Sequence, residues 1–239
     1  MRQGGRMLAT VLDLLEREIK PGINGQELAD MAAKEIKSLG GQPSFLMHDD
    51  FPHVMCLSIN DELVHGVPTA KKVIKEGDVV GLDFGVIYKG LVTDSARTVF
   101  VGHKPSTDIK RLLDGTRKAL EAGIDAVHGD GTRVGDISQA VQKVLEQHKL
   151  GVIRDLVGHG VGDKVHENPN IPNYGVAGTG PKLSTGMTIC IEPMASLGDW
   201  QIGIAKDGWS VVMHDGSLAA HFEHTIAVTE DGAEILTLP

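Results

Sequence analysis

The chain has 239 residues, of which 41% are hydrophobic and 23% charged, and its 23 Lys+Arg against 32 Asp+Glu give a formal net charge of −9. That balance excludes a disordered or collagen-like chain, and no run approaches the roughly 18 apolar residues that a membrane span needs. An acidic surface is a poor partner for phosphate backbones, which argues against direct nucleic-acid binding, and it leaves room for carboxylates that wait for cations.

Leu8, Val11, Leu12, Leu15 and Ile19, with Asp13, Glu16, Arg17 and Glu18 between them, predict an amphipathic helix and not the unbroken apolar core of a signal peptide. A second helix is predicted over residues 28–39, ended by Gly40-Gly41. Extended β-branched segments follow at 54–59, 79–88 and 91–101. After Lys104-Pro105 the pattern restarts. Ile109, Leu112, Leu113, Leu120, Ile124 and Val127 mark one helix; Val134, Ile137, Val141, Val144 and Leu145 mark the next. Strand-like runs return at 187–191, 209–213 and 222–229. Two helices then strands, twice, point to an α+β chain with an internal duplication, whose halves face each other across a cleft. Two cysteines, Cys56 and Cys190, are too few to staple such a chain, so a reducing, cytosolic setting with free thiols is expected. Thirty glycines, well above the roughly 7% norm, imply tight turns or backbone held close to a ligand.

The segment Gly81-Leu82-Asp83-Phe84-Gly85 through Leu91-Val92-Thr93-Asp94-Ser95 reads as a hairpin with its turn at Tyr88-Lys89-Gly90. A loop centred between Tyr88 and Lys89 sets Asp83 directly opposite Asp94 on one face. Two carboxylates held so repel, and burying them among Val, Leu and Ile is costly. A shared proton, a basic partner or a metal would compensate; otherwise both point to water.

Gly158-His159-Gly160-Val161-Gly162 flanks an imidazole with glycines, which remove bulk and permit an unusual backbone, and His166 adds a second imidazole seven residues on. By itself His159 reads more readily as a loop histidine than as a ligand. Glu192 ends the apolar run Thr188-Ile189-Cys190-Ile191, where Pro193 stops the ladder, and Glu223 sits in a further strand-like run. As one set, Asp83, Asp94, His159, Glu192 and Glu223 carry a formal charge of −4, which two divalent cations would balance. Oxygen-rich shells with one nitrogen suit Mn, Fe, Co or Zn, and a pair of such ions suits hydrolysis of an amide or a phosphate ester.

In order along the chain, Asp83, Asp94, Gly158-His159-Gly160-Val161-Gly162 with His166-Glu167-Asn168-Pro169, Ile191-Glu192-Pro193-Met194 and Phe222-Glu223-His224-Thr225 resemble the pita-bread metallopeptidases. Within them the chain resembles the type I methionine aminopeptidases over nearly its whole length. Val64-His65-Gly66-Val67-Pro68, Asp207-Gly208-Trp209 and Ser217-Leu218-Ala219-Ala220 match that branch as well. Prolidase and aminopeptidase P read Glu-Pro-Gly and Glu-Asp where this chain has Glu192-Pro193-Met194 and Glu223-His224. Their extra N-terminal domain has no room in the 82 residues before Asp83, and His159 and Glu192 lie too close for the helical insertion of type II enzymes.

The resemblance implies an α+β pita-bread fold with pseudo-two-fold halves and an antiparallel sheet flanked by helices, residues 1–239 forming a single catalytic domain. It implies a cytoplasmic aminopeptidase that uses two divalent metal ions to remove the N-terminal methionine from nascent proteins and peptides; a monomer is the default, because no obvious apolar surface stripe is left over. Asp83 would chelate one ion, Asp94 and Glu223 would bridge both, and His159 and Glu192 would complete the other. Glu192 would also shuttle the proton of the attacking water, His166 would hydrogen-bond the scissile carbonyl, and His65 would contact the peptide just past the scissile bond. Without the resemblance, His65 reads as a buried structural histidine. Phe51, Cys56 and Trp209 would line the methionine pocket. Two positions depart from the family pattern: His48 where a tyrosine is common, and Val165 where a phenylalanine is usual. They keep a second reading open, in which the same metals act on Xaa-Pro or other N-termini. A third, a non-catalytic binding protein on this scaffold, is opposed by the presence of all five ligands and both accessory histidines.

Overall fold

The computed structural model describes residues 1–47 and 51–239, so His48 lies outside the described residues. α1 (Arg2–Glu18) turns Leu8, Val11, Leu12 and Leu15 onto one buried face, as their three-to-four-residue spacing requires. α2 (Gly25–Ser38) starts at a capping box: Asn24 Oδ1 accepts from Glu27 N (3.1 Å), and Glu27 accepts from Asn24 N (2.9 Å). Two N–H groups that a helix start leaves unbonded are thereby satisfied. α3 (Thr107–Asp125) and α4 (Val134–Gln147) repeat the pair.

The strands in chain order are β1 (Gln42–Pro43), β2 (Cys56–Ile59), β3 (Glu62–Val64), β4 (Val79–Tyr88), β5 (Leu91–Phe100), β6 (Gly151–Val152), β7 (Val157–Gly160), β8 (Glu167–Pro172), β9 (Thr188–Ile191), β10 (Met194–Ser196), β11 (Ile202–Ile204), β12 (Val211–Met213), β13 (Ala219–His221), β14 (Glu223–Val228) and β15 (Ala233–Ile235). The main sheet runs β1-β4-β5-β14-β9-β7-β8, with β2 also on β4 and β15 also on β14; β13-β10-β6 and β11-β12-β3 form two small sheets.

Each helix pair covers its own half of the main sheet. Leu8, Leu12, Leu28 and Ile36 pack with Leu82 and Phe84 in one core cluster, and Leu112, Ile137, Val141 and Leu145 pack with Ile189 and Ile226 in the other. The expected duplication therefore takes the form of α1–α2 on β4–β5 and α3–α4 on β9–β14. The halves meet where β5 pairs β14, through Ala96↔Glu223 and Ser95↔His224. No helix among the described residues is long and apolar enough to cross a membrane.

The hairpin register corrects one expectation. The turn is Lys89-Gly90, both left-handed at φ 52° and 81°, which matches the right-handed twist of the flanking strands. Tyr88 therefore pairs with Leu91, Asp83 faces Ala96, and Asp94 faces Gly85. The two aspartates still share a face, but as diagonal neighbours and not as a direct pair. Trp209 also falls outside β12; its N–H donates to Asp207 Oδ1 (2.9 Å) in the preceding turn.

Candidate metal centre

The register carries the acidic residues onto one face of the sheet in two adjacent rows. In the first, Cys56 faces Asp83, Asp83 faces Ala96, and Ala96 faces Glu223. In the second, Thr225 faces Cys190 and Cys190 faces His159. Asp94 joins that row through Thr225, whose Oγ1 accepts from Asp94 N (2.9 Å) and donates to Asp94 O (2.7 Å). Glu192 follows β9 directly, and strand alternation puts it on the same side as Cys190. Four strands and the position just after a fifth, up to 140 residues apart in the chain, thus each deliver one side chain to one place.

The glycines beside His159 remove bulk as expected but supply no unusual backbone. Neither Gly158 nor Gly160 takes a left-handed backbone. A Cβ on Gly158 would lie 2.4 Å from Cys190 O, and one on Gly160 would lie 2.3 Å from Asn168 O. The glycines let β7 pack tightly between its neighbours, and the tight packing brings the imidazole over the carboxylates.

His159 Nδ1 lies 2.9 Å from Gly160 O; a carbonyl only accepts, so Nδ1 carries a proton and Nε2 is the nitrogen turned toward the carboxylates. That Nε2 is 3.5 Å from Glu192 Oε1 and 3.9 Å from Glu223 Oε1. Ligand atoms of Asp83, Asp94 and Glu223 lie within 4.8 Å of one another, and so do those of His159, Cys190 and Glu223. Asp83 Oδ1 and Glu223 Oε1 are buried with no hydrogen-bond partner among the described residues. Buried carboxylate oxygens without donors are costly; a divalent cation is what such a set fits, and the oxygen triad with an imidazole beside it suits first-row ions.

The charges respond accordingly. Burial first, then the neighbouring carboxylates, push Asp83 and Glu223 well above the usual carboxylate range. Burial also raises Asp94, though His159 and His166 oppose it. Burial works to raise Glu192 too, but His221, His159 and His166 outweigh it and hold Glu192 below its ordinary value. Glu192 is thus the carboxylate of the set that stays ionised most readily.

These five side chains line a cavity of about 160 Å³ together with His65, His166, Phe51, Cys56 and Trp209. Phe51 meets Trp209 edge-on with ring centres 5.6 Å apart, and Phe45 at 6.3 Å, an arrangement favoured by the ring quadrupoles. His166 stacks edge-on to His159 at 4.4 Å. His65 is exposed and left-handed at φ 56°, so it is not the buried structural histidine that its segment alone suggests. Val165 is buried beside Val92, Val161 and Cys190. The sequence reading passes over His221, which is buried in the same cavity with Nε2 3.3 Å from Glu192 Oε2. Its spacing of two from Glu223 is the available signal, since period-two alternation turns both to one face.

The pattern of metallopeptidase family M24 matches residues 1–230. The methionine aminopeptidase of Clostridium acetobutylicum is 42% identical over 239 residues, spanning 100% of this chain and 94% of that one. The crystal structure of the Thermotoga maritima methionine aminopeptidase superposes with a TM-score of 0.97 at 44% identity, covering 100% and 95% of the two chains. The prolidase of Pyrococcus furiosus matches at a TM-score of 0.80 with 23% identity and 62% of its length covered, a likeness of fold alone.

Proposed function

The chain belongs to metallopeptidase family M24, and from that membership we infer the chemistry of its cavity. The protein is a metal-dependent aminopeptidase of the pita-bread fold that removes N-terminal methionine. We further propose that it holds two divalent ions, one by Asp83, Asp94 and Glu223, the other by Asp94, His159, Glu192 and Glu223. The observation that carries this reading is the pair of buried, donorless oxygens, Asp83 Oδ1 and Glu223 Oε1, beside His159 Nε2. Bound ions would supply Lewis-acid polarisation of a carbonyl and would acidify water.

The chain's own groups do the rest. Glu192, with His159 3.5 Å from Oε1 and His221 3.3 Å from Oε2, accepts the proton of the attacking water and returns it to the leaving amine. His166, at the cavity mouth against His159, hydrogen-bonds the scissile carbonyl as negative charge develops. His65 contacts the peptide just past the scissile bond. The methionine side chain enters between Phe51, Cys56 and Trp209, an apolar wall with edge-on rings that favour sulfur contacts. The substrate is the N-terminus of a nascent protein or a peptide. One chain provides every residue named, so a monomer suffices, and the free Cys56 and Cys190 suit a reducing cytosol.

The test is release of methionine from Met-Gly-Met-Met by metal-stripped protein, repeated after adding Co²⁺, Mn²⁺, Fe²⁺ or Zn²⁺ in turn. Metal-dependent release with two ions bound per chain is expected. Folded protein that stays silent with every ion, or that cleaves Ala-Pro faster than the methionyl peptide, would overturn the reading.

A further inference from the structure

We propose that His221 is the positioning residue for Glu192, an inference that rests on the metal-dependent reading above. Two imidazoles bracket the Glu192 carboxylate, each against a different oxygen: His159 Nε2 is 3.5 Å from Oε1 and His221 Nε2 is 3.3 Å from Oε2. The same division holds at Glu223, with His159 3.9 Å from Oε1 and His221 4.0 Å from Oε2. Imidazoles and carboxylates therefore alternate around a ring of four groups. His159 keeps its Nδ1 proton on Gly160 O, so an ion bound in the ring would take Nε2 as its lone pair. His221 is the complementary member, a donor.

Its Nε2 is buried and makes no aligned hydrogen bond among the described residues, although two carboxylates stand in front of it. A buried N–H takes an acceptor where one is in reach, and Glu192 Oε2 is the nearer of the two. Donation to Oε2 fixes the plane of the carboxylate and leaves Oε1 for the His159 side, where a ligand and proton acceptor has to point. The backbone of Glu192 is held separately, by Asn173 Nδ2 donating to Glu192 O (3.1 Å). The side-chain torsions of Glu192 then remain to be set, and His221 is placed to set the last of them, the rotation of the carboxylate.

The backbone of His221 does not depend on its side chain. Thr98 Oγ1 accepts from His221 N (2.9 Å) and donates to His221 O (2.7 Å), and His221 pairs with Met194 across β10 and β13. A substitution of the imidazole therefore leaves its strand anchored.

Two variants test the assignment. His221→Leu fills the space without a donor, and His221→Gln returns an N–H at a similar reach. Each is titrated with Co²⁺, followed by absorbance, and assayed on Met-Gly-Met-Met. Groups that orient a metal ligand are commonly worth about 10- to 100-fold. His221→Leu is expected to lose about that factor in Co²⁺ affinity and in kcat, with KM and the thermal midpoint near wild type, and His221→Gln to recover most of it. Wild-type Co²⁺ affinity in His221→Leu, or no recovery in His221→Gln, would overturn the proposal whatever the turnover. A wild-type protein that binds Co²⁺ yet releases no methionine would instead sink the peptidase reading and leave the titration to judge His221. Wild-type protein that binds no Co²⁺ would sink both.

Discussion

Asp83 and Glu223 face the same residue, Ala96, from opposite sides of β5. A methyl group is thus all that stands between two carboxylates on the floor of the site, and that leaves room above it for a cation. Ala96→Val would put a branched side chain into this space. Overpacking of that size costs about 1–3 kcal/mol, so the strand should survive while the metal does not. Metal content per folded chain, measured after loading and gel filtration, checks this; a full complement of metal would count against Ala96 as the spacer.

Glu223→Gln keeps the shape of the side chain and removes one of the repelling charges. Because Asp83 and Glu223 both sit well above the usual carboxylate range, the folded state takes up protons relative to the unfolded chain. Their contribution to stability is present at low pH and is lost as pH rises through the folded-state values. In chelator near neutral pH the variant should therefore melt higher than wild type. Metal at 100 times its dissociation constant should then stabilise wild type by about 2.7 kcal/mol and the variant far less, with turnover below detection. An equal metal-induced shift in both proteins would contradict the assignment, as would near-normal turnover.

His224 lies on the reverse face of β14 and predicts the opposite pH dependence. Burial, and after it the charge of Arg97, lower its pKa from 6.5 to about 4, and its Nδ1 contacts Thr237 Oγ1 at 2.8 Å. Between those two values the unfolded chain binds the proton and the folded chain does not. The resulting stability, about 3 kcal/mol, is present above pH 6.5 and is lost as pH falls toward 4. Urea midpoints of metal-saturated protein should drop over this interval, and His224→Gln should flatten the slope. Parallel slopes in the two proteins would show that His224 does not govern it.

Trp209→Ala would remove the ring that closes the pocket against Phe51. Differences of one methylene in an apolar pocket are worth about 1–3 kcal/mol. The ratio of kcat/KM for Met-Ala over Leu-Ala should consequently fall by about tenfold or more, with metal content unchanged. A preserved ratio would move side-chain selection to another wall.

The helices and long strands were legible because their information is local. Leu8, Val11, Leu12 and Leu15 repeat with the helical period wherever the rest of the chain lies, and β4 spans Val79–Tyr88, the residues its β-branched pattern marks. The five ligand-type residues were legible for a related reason: carboxylates inside apolar strands are anomalous in any context. What the sequence could not decide is distance and direction across the sheet. The dihedrals of Lys89-Gly90 set the pairing of Asp83 with Ala96 and not with Asp94. The need for Gly158 and Gly160 arises from Cys190 O and Asn168 O, atoms of other strands that no local pattern contains. His221 looked like an ordinary strand residue until β13 was laid beside β10, because its role depends on Glu192, 29 positions away in the chain and 3.3 Å away in space. Residue chemistry and periodicity are carried by the chain itself, whereas register and close approach exist only once turns and packing have fixed one strand against another.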